Sequence, residues 1–408
     1  MNLFDDLQYR GLVHSFSDPE LIEKLNIGKL TFYLGTDPTG ESLHVGHLVV
    51  FLLAKRLEMK GHKPLLLIGG ATGFIGDPRP GNEREFLSKE ELEHNTKSLF
   101  NQVQNLFKCQ MVNNYDWTKD LSFIDFLRKY GKHFSVNYLL AKESVASRLQ
   151  TGISFTEFSY NLMQAMDFHH LYLTENCTLQ IGGQDQWGNL LSGLDLIRRL
   201  EGKAECYCLT APLLTKADGG KFGKSEGGES IWLSEEKTSV YEFYQYWINT
   251  ADNDCESRLK IFTFLEKTQI DDLAQAIKSE PEKRAAQKIL AYEVTKIVHG
   301  EVKANEAIML SEKLFTGDIG NLTKKQIESA FKGIESSIQA EIAIVDALIV
   351  LKLASSKREA REFIQNGSIS VNGAKISNVE LILNNHNALH NKYNIIRRGK
   401  KKYAYIIH

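Results

Sequence analysis

The chain has 408 residues, a formal net charge of −2, 42% hydrophobic residues and 25% charged residues. This length predicts two or three domains, and the composition is that of an ordinary globular protein. No apolar run approaches the ~20 residues of a membrane helix and the N-terminus MNLFDDLQYRG has no basic apolar signal, so we expect a cytosolic protein without membrane contacts.

The small net charge hides an asymmetry along the chain. Residues 343–408 contain 11 basic and 4 acidic side chains, a net charge of +7, which leaves −9 for residues 1–342. A basic appendage on an acidic body predicts a nucleic-acid-binding segment at the C-terminal end.

The five cysteines, at positions 109, 177, 206, 208 and 255, show no CxxC spacing. Cys206 and Cys208 alternate on a predicted strand, so both thiols face one side, which is a poor start for a tetrahedral metal site. We therefore expect buried reduced thiols and no structural metal.

A strand, a loop and a helix start are predicted close to the N-terminus. The apolar run 30–34 is followed by the turn-forming run GTDPTG at 35–40, and a helical pattern begins at His44. The unpaired N–H groups of a helix N-terminus favour phosphate. His44 and His47 share one face of the first turn, and Gly46 between them leaves room for a flat ligand such as a nucleotide. Polar surface is the alternative interpretation of the two histidines.

Strands and helices alternate from this point onward. The predicted elements are strand 30–35, the helix from His44, strand 64–69, helices 88–107 and 119–130, strand 177–182, helix 185–201 and strand 205–210. The alternation predicts an α/β fold with a doubly wound parallel sheet, whose site lies at the carboxyl ends of the strands. The segment 131–174 is predicted as a helical insertion between two strands.

One helix of the insertion carries a polar stripe. Tyr160, Gln164 and Asp167 are spaced i, i+4 and i+7, which places them on one face. Because buried polar groups without partners are costly, this stripe favours pocket lining over core packing. Asp77, in a glycine-rich turn, has a carboxylate suited to an amino group, although an Asp before Pro is as often a plain turn residue.

A glycine-rich loop follows strand 205–210. It contains Lys221 and Lys224 in the sequence KFGKS at 221–225. Such a loop is too flexible and polar for a core, and two lysine charges suit a triphosphate that is attacked at its α-phosphorus.

The C-terminal half changes character. Residues 234–320 are almost continuously helical in pattern, and we interpret their aromatic residues as helix packing rather than base stacking. Residues 321–342 are predicted as a linker. Two amphipathic helices at 343–353 and 355–367, followed by short strands, predict a small α+β domain.

Together the motifs resemble those of class I aminoacyl-tRNA synthetases, and among these the bacterial-type tyrosyl-tRNA synthetases. The resemblance covers essentially the whole chain and rests on Tyr33 with GTDPTGESLHVGH (35–47), GGATGFIGDP (69–78), Tyr160-x-x-x-Gln164-x-x-Asp167, IGGQDQWGN (181–189) and KFGKS (221–225). It implies a Rossmann-like catalytic domain over 1–233 with a helical insertion at about 115–175, a helical domain over 234–320, and an RNA-binding domain of ribosomal-protein type over 343–408.

The resemblance also implies a reaction. The carboxylate of L-tyrosine attacks the α-phosphorus of ATP, pyrophosphate leaves, and the tyrosyl group moves to the 3′ terminal adenosine of tRNA(Tyr). Alignment and charge stabilisation suffice for such a step, and no general base is required. Tyrosine, ATP with Mg²⁺ and tRNA(Tyr) are the expected partners, and a homodimer built partly by the insertion is the expected assembly.

Site residues carry over from the family position by position. The catalytic candidates are His44, His47, Lys221 and Lys224. The tyrosine-binding candidates are Tyr33 and Asp167 at the phenol hydroxyl, Tyr160, Gln164 and Asp77 at the ammonium, and Gln186 at the carboxyl end. The ATP-binding candidates are Gly35, Asp37, Thr39, His44, Gly46, His47, Arg84, Gly183, Asp185, Lys221, Lys224 and Ser225. The RNA-binding candidates are Lys357, Arg358, Arg361, Lys375, Arg397 and Arg398.

The sequence departs from common family forms at three places. The loop RPGNER around Arg84 lacks the lysine that many relatives have before the arginine, which weakens the expectation of phosphate contacts there. KFGKS replaces the Met-Ser of the general class motif but keeps both lysines. Val50 is apolar where some relatives carry a threonine near the ribose, so no hydrogen bond is expected from it.

Three alternative functions remain open from sequence. Another HxGH nucleotidyltransferase would need neither Tyr33 with Asp167 nor an RNA-binding tail. The related tryptophanyl enzyme normally lacks the C-terminal domain and has no use for a carboxylate at a phenol. A synthetase-like RNA-binding or splicing protein without catalysis would not need the intact histidines and lysines of the two motifs.

Overall fold

A computed structural model of the chain describes residues 1–78, 86–149, 152–217, 219–220, 222–224, 228–399 and 402–408. Of the candidate site residues, Arg84, Lys221 and Ser225 lie outside these ranges. The chain folds into two compact units. The first comprises Met1–Ser234 with Asn249–Leu290, and the second comprises Glu235–Ile248 with Ala291–His408.

Strands and helices alternate along the first unit, and helices dominate from residue 240 to residue 330. The strands are β1 Ser15–Phe16, β2 Thr31–Thr36, β3 Lys63–Ile68, β4 Gln110–Asn113, β5 Cys177–Gly183, β6 Tyr207–Ala211, β7 Ser336–Ile338, β8 Glu341–Ala343, β9 Ile369–Val371, β10 Ala374–Lys375, β11 Ile382–Asn384, β12 Tyr393–Arg398 and β13 Lys402–Ile407. The helices are α1 Leu3–Tyr9, α2 Glu20–Ile27, α3 Val45–Met59, α4 Lys89–Phe107, α5 Tyr115–Thr118, α6 Phe123–Lys129, α7 Val136–Leu140, α8 Glu143–Ala146, α9 Phe155–Glu175, α10 Trp187–Glu201, α11 Val240–Ile248, α12 Asp252–Phe262, α13 Lys267–Ser279, α14 Ala285–His299, α15 Glu301–Thr316, α16 Lys324–Ala330, α17 Ile344–Val350 and α18 Lys357–Gln365.

The sheet of the first unit has the strand order β1-β6-β5-β2-β3-β4. All neighbouring pairs are parallel except β1 with β6. The predicted doubly wound parallel sheet is therefore confirmed. The carboxyl ends of its central strands β2, β3 and β5 lie at the same end of the sheet, because parallel strands share a direction. The loops that follow these strands carry predicted motifs.

One apolar cluster of this unit lies between the sheet and the helix pair α9 and α10. Phe168 on α9 and Leu190, Leu194 and Ile197 on α10 are buried there against Leu65 of β3. Gly193 permits the close approach of the two helices, because a Cβ at this position would lie 3.0 Å from the ring of Phe168. The packing fixes α9, and with it the polar stripe, against the carboxyl ends of the strands.

The edge strand β4 was not predicted from sequence. Its first residue is exposed and the other three are only half-buried, and Gln110 and Asn113 at its two ends are polar. An edge strand of a sheet needs no continuous apolar run, so the pattern that identifies a buried strand is absent. The consequence matters for the site, because residues 113–117 follow this strand.

The second unit ends in a sheet of order β10-β9-β12-β13-β7, in which β7 joins parallel and the other pairs are antiparallel. Helices α17 and α18 cover it through Ile344, Leu348 and Ile364. The predicted strands in 368–407 are thus present. The segment predicted as a linker contains α16, β7 and β8, and its Phe331 packs against Tyr393. Short elements of this kind fall below the length at which a periodic pattern is evident. The domain boundaries themselves stay a prediction.

No helix in the described ranges is long and apolar enough to cross a membrane. All five cysteines are free thiols, and four of them are buried while Cys109 is half-buried. Burial, which was expected from sequence, raises the pKa of the Cys177 and Cys208 thiols.

Candidate active site

His44 and His47 begin helix α3 in a reciprocal cap. The N–H of Gly46 donates to Nδ1 of His44 at 3.1 Å, and the N–H of His44 donates to Nδ1 of His47 at 3.2 Å. Their rings stack at 3.9 Å. Because a backbone N–H only donates, each Nδ1 is an acceptor, and a neutral ring carries its proton on Nε2. The cap therefore orients two Nε2–H donors at the start of the helix.

Gly46 is required by the position of His44 itself. A Cβ at Gly46 would lie 2.8 Å from Cε1 and 2.9 Å from Nδ1 of His44. Any side chain there would displace the imidazole ring. Gly46 therefore permits the observed position of His44, and it also leaves room for a ligand.

The segment after the lysine loop ties that loop to α3. The N–H of Val45 donates to the carbonyl of Ile231, and the N–H of Ile231 donates to the carbonyl of Gly223, both at 3.0 Å. Gly223 has a φ of +82°, and a Cβ there would lie 3.2 Å from Val45. Lys224 next to it donates to Oγ of Ser230 at 2.8 Å. The structure thus brings the HxGH motif and residues 222–224 of the KFGKS motif together.

The candidate residues for tyrosine form a second group, which contains the buried carboxylate of Asp167. Asp167, only 2% exposed, accepts hydrogen bonds from Nδ2 of Asn114 at 2.9 Å and from Nε1 of Trp117 at 2.8 Å. Burial raises its pKa to about 7, although the two donors act in the opposite direction. Burial, followed by the nearby Asp167 charge, raises the pKa of the Tyr33 hydroxyl well above its ordinary value.

Asp37 links the loop after β2 to the insertion helix. Its carboxylate accepts from the Tyr160 hydroxyl at 2.8 Å and from Oγ1 of Thr72 at 2.7 Å. Gly69 makes this approach possible, because a Cβ there would lie 2.0 Å from Oδ1 of Asp37. Asp37 was assigned to ATP from sequence, and the structure places it against Tyr160, a candidate for tyrosine.

Asp77 meets the start of α10. It accepts from Nε2 of Gln186 at 2.7 Å and from Nδ2 of Asn189 at 3.2 Å. Burial raises its pKa to about 6, opposed by the bond from Gln186, and the Asp37 charge raises it further. Asp185 lies beside Gly183, where a Cβ would be 2.6 Å from the Asp185 carboxylate.

Three polar atoms in this region are buried without a hydrogen-bond partner among the described residues: the Tyr33 hydroxyl, Oε1 of Gln164 and Oε1 of Gln180. Gln180 pairs with Tyr33 across β5 and β2, so their side chains lie beside each other. Unpaired buried polar atoms are rare in native proteins. Their presence in a region with the buried Asp167 and the half-buried Asp37 and Asp77 is typical of a polar ligand site.

Two further candidates lie on the strand β2 and the loop after it. Gly35 is the fifth residue of β2 and pairs with Leu67 of β3. The N–H of Thr39 donates to the carbonyl of Asp37 at 2.8 Å. Gly35 therefore lies near the carboxyl end of β2, and Thr39 lies in the loop that precedes the helix start at His44.

Sequence reasoning missed the residues that hold the carboxylates in place. These are Thr72, Asn114, Trp117 and Asn189. Asn189 and Thr72 lie inside motifs that were quoted, but their side chains were given no role. Asn114 and Trp117 follow the unpredicted strand β4, and the run NNYDW after an apolar pair was the available signal.

The RNA-binding candidates divide into two groups. Three already have partners within the second unit: Lys357 pairs with Asp346 at 2.7 Å, Arg398 donates to the carbonyl of Leu353 and lies over the Phe363 ring, and the Arg397 guanidinium lies against Gly317. The others are exposed, namely Arg358, Arg361 and Lys375.

Comparison with known proteins identifies the family of the chain. Residues 25–316 match the family model of class I tRNA synthetases (W and Y), and residues 326–406 match that of the tyrosine–tRNA ligase SYY-like C-terminal domain. The tyrosine–tRNA ligase of Listeria welshimeri is 50% identical over 99% of both chains, and tyrosine–tRNA ligase 2 of Bacillus cereus is 50% identical over 100% of this chain and 99% of its own.

Comparison with a solved structure supports the same family by similarity of fold. The C-terminally truncated mitochondrial tyrosyl-tRNA synthetase of Aspergillus nidulans superposes with a TM-score of 0.70 at 29% identity, over 77% of this chain and 94% of its own. Two family models that together span nearly the whole sequence, and full-length relatives at half identity, settle the assignment. The chain belongs to the bacterial-type tyrosyl-tRNA synthetases of class I.

Proposed function

We infer that this tyrosine–tRNA ligase binds the tyrosine that it activates in the buried pocket around Tyr33 and Asp167. The observation that carries this inference is the unpaired Tyr33 hydroxyl near the buried Asp167 carboxylate. A phenol O–H donates to a carboxylate and accepts from a second hydroxyl, so one substrate hydroxyl satisfies both groups. Trp117 and Asn114 hold Asp167 for this contact.

The opposite end of the substrate is a cation, and buried carboxylates favour it. Asp77 and Asp37 are half-buried and close enough for the Asp37 charge to raise the pKa of Asp77, an unfavourable interaction that an ammonium group would offset. Tyr160 and Gln164 complete this end, with the unpaired Oε1 of Gln164 as an acceptor for an ammonium N–H. Gln186 lies next to Asp77 and is assigned to the carboxyl end of tyrosine.

The affinity for tyrosine should fall as the pH is lowered below about 6. Asp77 has a raised pKa of about 6 in the free protein, and only its ionised form attracts an ammonium group. Protonation competes with binding, so the dissociation constant should rise by up to ~10-fold per pH unit below that value. Since the Asp37 charge also acts on Asp77, the observed midpoint belongs to the pair and should lie near pH 6.

Titration calorimetry between pH 5 and pH 8 measures this dependence. Asp77→Asn serves as the control, because it keeps the acceptor oxygen but removes the titrating charge, and it should bind tyrosine weakly with a flatter pH profile. A wild-type dissociation constant that stays constant from pH 5 to pH 8 would remove Asp77 from the ammonium subsite.

The nucleotide end of the reaction is assigned to the two joined motifs. His44, Lys221 and Lys224 would meet the leaving pyrophosphate, and His47 with Gly46 the adenosine. The remaining ATP candidates are Gly35, Thr39, Arg84, Gly183, Asp185 and Ser225. Mg²⁺ would be carried by the phosphates of ATP, because the lysines and the Nε2–H groups of the two histidines that would meet these phosphates are donors and are not metal ligands.

The C-terminal domain is assigned to tRNA. Charge reversal at Arg358 and Arg361, both exposed on α18, should weaken tRNA binding and leave tyrosyl-adenylate formation unchanged, because tyrosine and ATP bind in the first unit. Each lost phosphate contact should reduce the slope of log affinity against log salt by ~0.7 to 0.9. Filter binding of tRNA(Tyr) over a salt series measures both effects.

The matched control is Lys324→Glu with Lys325→Glu, the same charge change on the exposed side of α16. Point changes are preferable to deletion at residue 340, because β7 pairs with β13 and Phe331 would lose the side chains that cover it. Equal loss of tRNA binding in both double variants would indicate a general charge effect and argue against an RNA site on α18.

A homodimer is proposed from the surface of the insertion. Large apolar side chains are exposed there at Phe123 (64%) and Ile124 (67%), and further at Leu127, Val136, Leu149 and Phe155. Several large exposed apolar side chains on one segment are typical of a protein interface. Ile124→Glu should therefore produce monomers in analytical ultracentrifugation, whereas Val302→Glu, equally exposed on α15, should not. A monomeric wild-type enzyme at micromolar concentration would contradict the proposal.

A further inference from the structure

A cavity of about 260 Å³ lies beside α4 in the first unit. Its walls are mainly apolar and come from Phe74, Leu92, Phe100 and Tyr115, and Lys89 and Lys97 also line it. The lining residues include none that is assigned above to tyrosine, ATP or tRNA. The cavity therefore requires a separate explanation.

The lining suggests the chemistry of an occupant. The Phe74 and Tyr115 rings, 6.4 Å apart between centroids, offer faces and edges to a flat ring. Lys89 lies 3.8 Å from Glu93, which is also in the wall, and Lys97 adds a second ammonium, so the cavity carries a net positive charge. A small aromatic molecule with one carboxylate matches both features.

The walls also reach the residues that hold the tyrosine pocket. Gly70 and Phe74 flank Ala71 and Thr72 on one side of the cavity. The N–H of Ala71 donates to Oδ1 of Asn114 at 2.7 Å, and Nδ2 of Asn114 donates to Thr72 at 3.0 Å.

The same Asn114 continues the connection into the pocket. It lies between Asn113 and Tyr115, both of which line the cavity, and it donates to Asp167 at 2.9 Å. Thr72 donates to Asp37 at 2.7 Å. One contiguous set of hydrogen bonds therefore joins two walls of the cavity to two carboxylates of the pocket.

We propose that this cavity is a second binding site, for a small aromatic carboxylate, and that its occupant increases the affinity of the enzyme for tyrosine. An occupant that contacts Gly70, Phe74, Asn113 and Tyr115 restricts the segments 70–74 and 113–115 to the arrangement that positions Asp37 and Asp167. Tyrosine then binds a site that is already ordered, which gives positive coupling. The coupling rests on the tyrosine pocket proposed above, whereas the cavity as a binding site does not.

The test uses 2-naphthoate as the probe and the full-length chain. With about 13 non-hydrogen atoms, the probe should bind with a dissociation constant of about 1 mM, detectable by saturation-transfer NMR. At saturation it should lower the dissociation constant for tyrosine by at least ~5-fold in titration calorimetry. Thermodynamic reciprocity requires that tyrosine strengthen probe binding by the same factor.

Two α4 variants locate the effect. Thr96 lines the cavity, so Thr96→Trp should fill it and remove both probe binding and the effect of the probe on tyrosine. Asn105→Trp places the same ring on the opposite, exposed face of α4 and should change neither. 2-Naphthamide, which lacks the charge, should bind several-fold more weakly than 2-naphthoate.

Probe binding that persists in Thr96→Trp would overturn the site. A probe that weakens tyrosine binding would instead have entered the tyrosine pocket, and that also overturns the proposal. The coupling is rejected if Thr96→Trp abolishes probe binding but the probe does not change the affinity of the wild-type enzyme for tyrosine. Failure of the tyrosine pocket itself would appear independently, as normal tyrosine binding in Asp167→Asn.

Discussion

Phenylalanine should be activated at least ~10⁴-fold less efficiently than tyrosine, measured as kcat/KM in ATP–pyrophosphate exchange. The magnitude is that of tyrosyl enzymes themselves, which are the standard example of this discrimination, and is not calculated from this structure. Binding phenylalanine would leave the Tyr33 hydroxyl unpaired and the buried Asp167 carboxylate without its substrate donor. Each unsatisfied group keeps its full desolvation cost in the complex.

The discrimination should depend on the carboxylate. Asp167→Asn replaces an acceptor-only group by an amide, and its nitrogen would face the donors of Asn114 and Trp117 or of the substrate. We expect a loss of tyrosine activation of ~10²-fold or more and a smaller ratio between tyrosine and phenylalanine. Asp116→Asn, one residue before Trp117, is the control and should leave the ratio unchanged. Phenylalanine exchange comparable to that of tyrosine in the wild-type enzyme would refute the pocket assignment.

The main features of the catalytic fold could be predicted from sequence because they repeat along it. Apolar runs of strand length alternate with helical periods from residue 30 to residue 210, and this pattern alone specifies a parallel sheet. The glycine-rich loops fall at strand ends, which is where such a sheet binds ligands. These signals are local, so they can be detected in a single sequence without knowledge of contacts between distant segments.

The missing parts share a physical cause, since they depend on contacts between distant segments. Trp117 is 50 residues from its partner Asp167, and Asn189 is 112 residues from Asp77. No local pattern distinguishes a tryptophan that donates to a buried carboxylate from one that packs in a core. β4, which positions Asn114, is an edge strand with polar ends and lacks the apolar run that reveals its neighbours.

The C-terminal domain illustrates the same limit for charged residues. Six basic residues were assigned to RNA from their charge and from the resemblance of the domain, yet Lys357 and Arg398 have partners within their own unit. Charge clustering predicts that a segment binds nucleic acid, but it does not say which side chains are available. Arg358 and Arg361, which are exposed, are therefore the better positions for mutations that test RNA binding.

His44→Ala and Lys224→Ala should each lower the rate of tyrosyl-adenylate formation by ~10²-fold or more, with less than ~2-fold change in the dissociation constant for tyrosine. Both groups are assigned to charge that moves onto the leaving pyrophosphate, so their contacts strengthen only as the bond breaks. Rapid-quench measurement under single-turnover conditions separates this step from binding. His94→Ala and Lys216→Ala are the controls, because neither residue is assigned to the site.

Gly46→Ala extends this prediction to the backbone that holds the histidine. The added methyl group would lie 2.8 Å from Cε1 of His44, so the ring must move, and the variant should lose much of the rate that His44→Ala loses while keeping both imidazoles. The double variant His44→Ala with Lys224→Ala should lose less than the sum of the single effects in free energy, because both residues act on one pyrophosphate and are joined through residues 230–233. Weakened tyrosine binding with an unchanged rate, or strict additivity of the two losses, would show that the two motifs do not act together on the departing group.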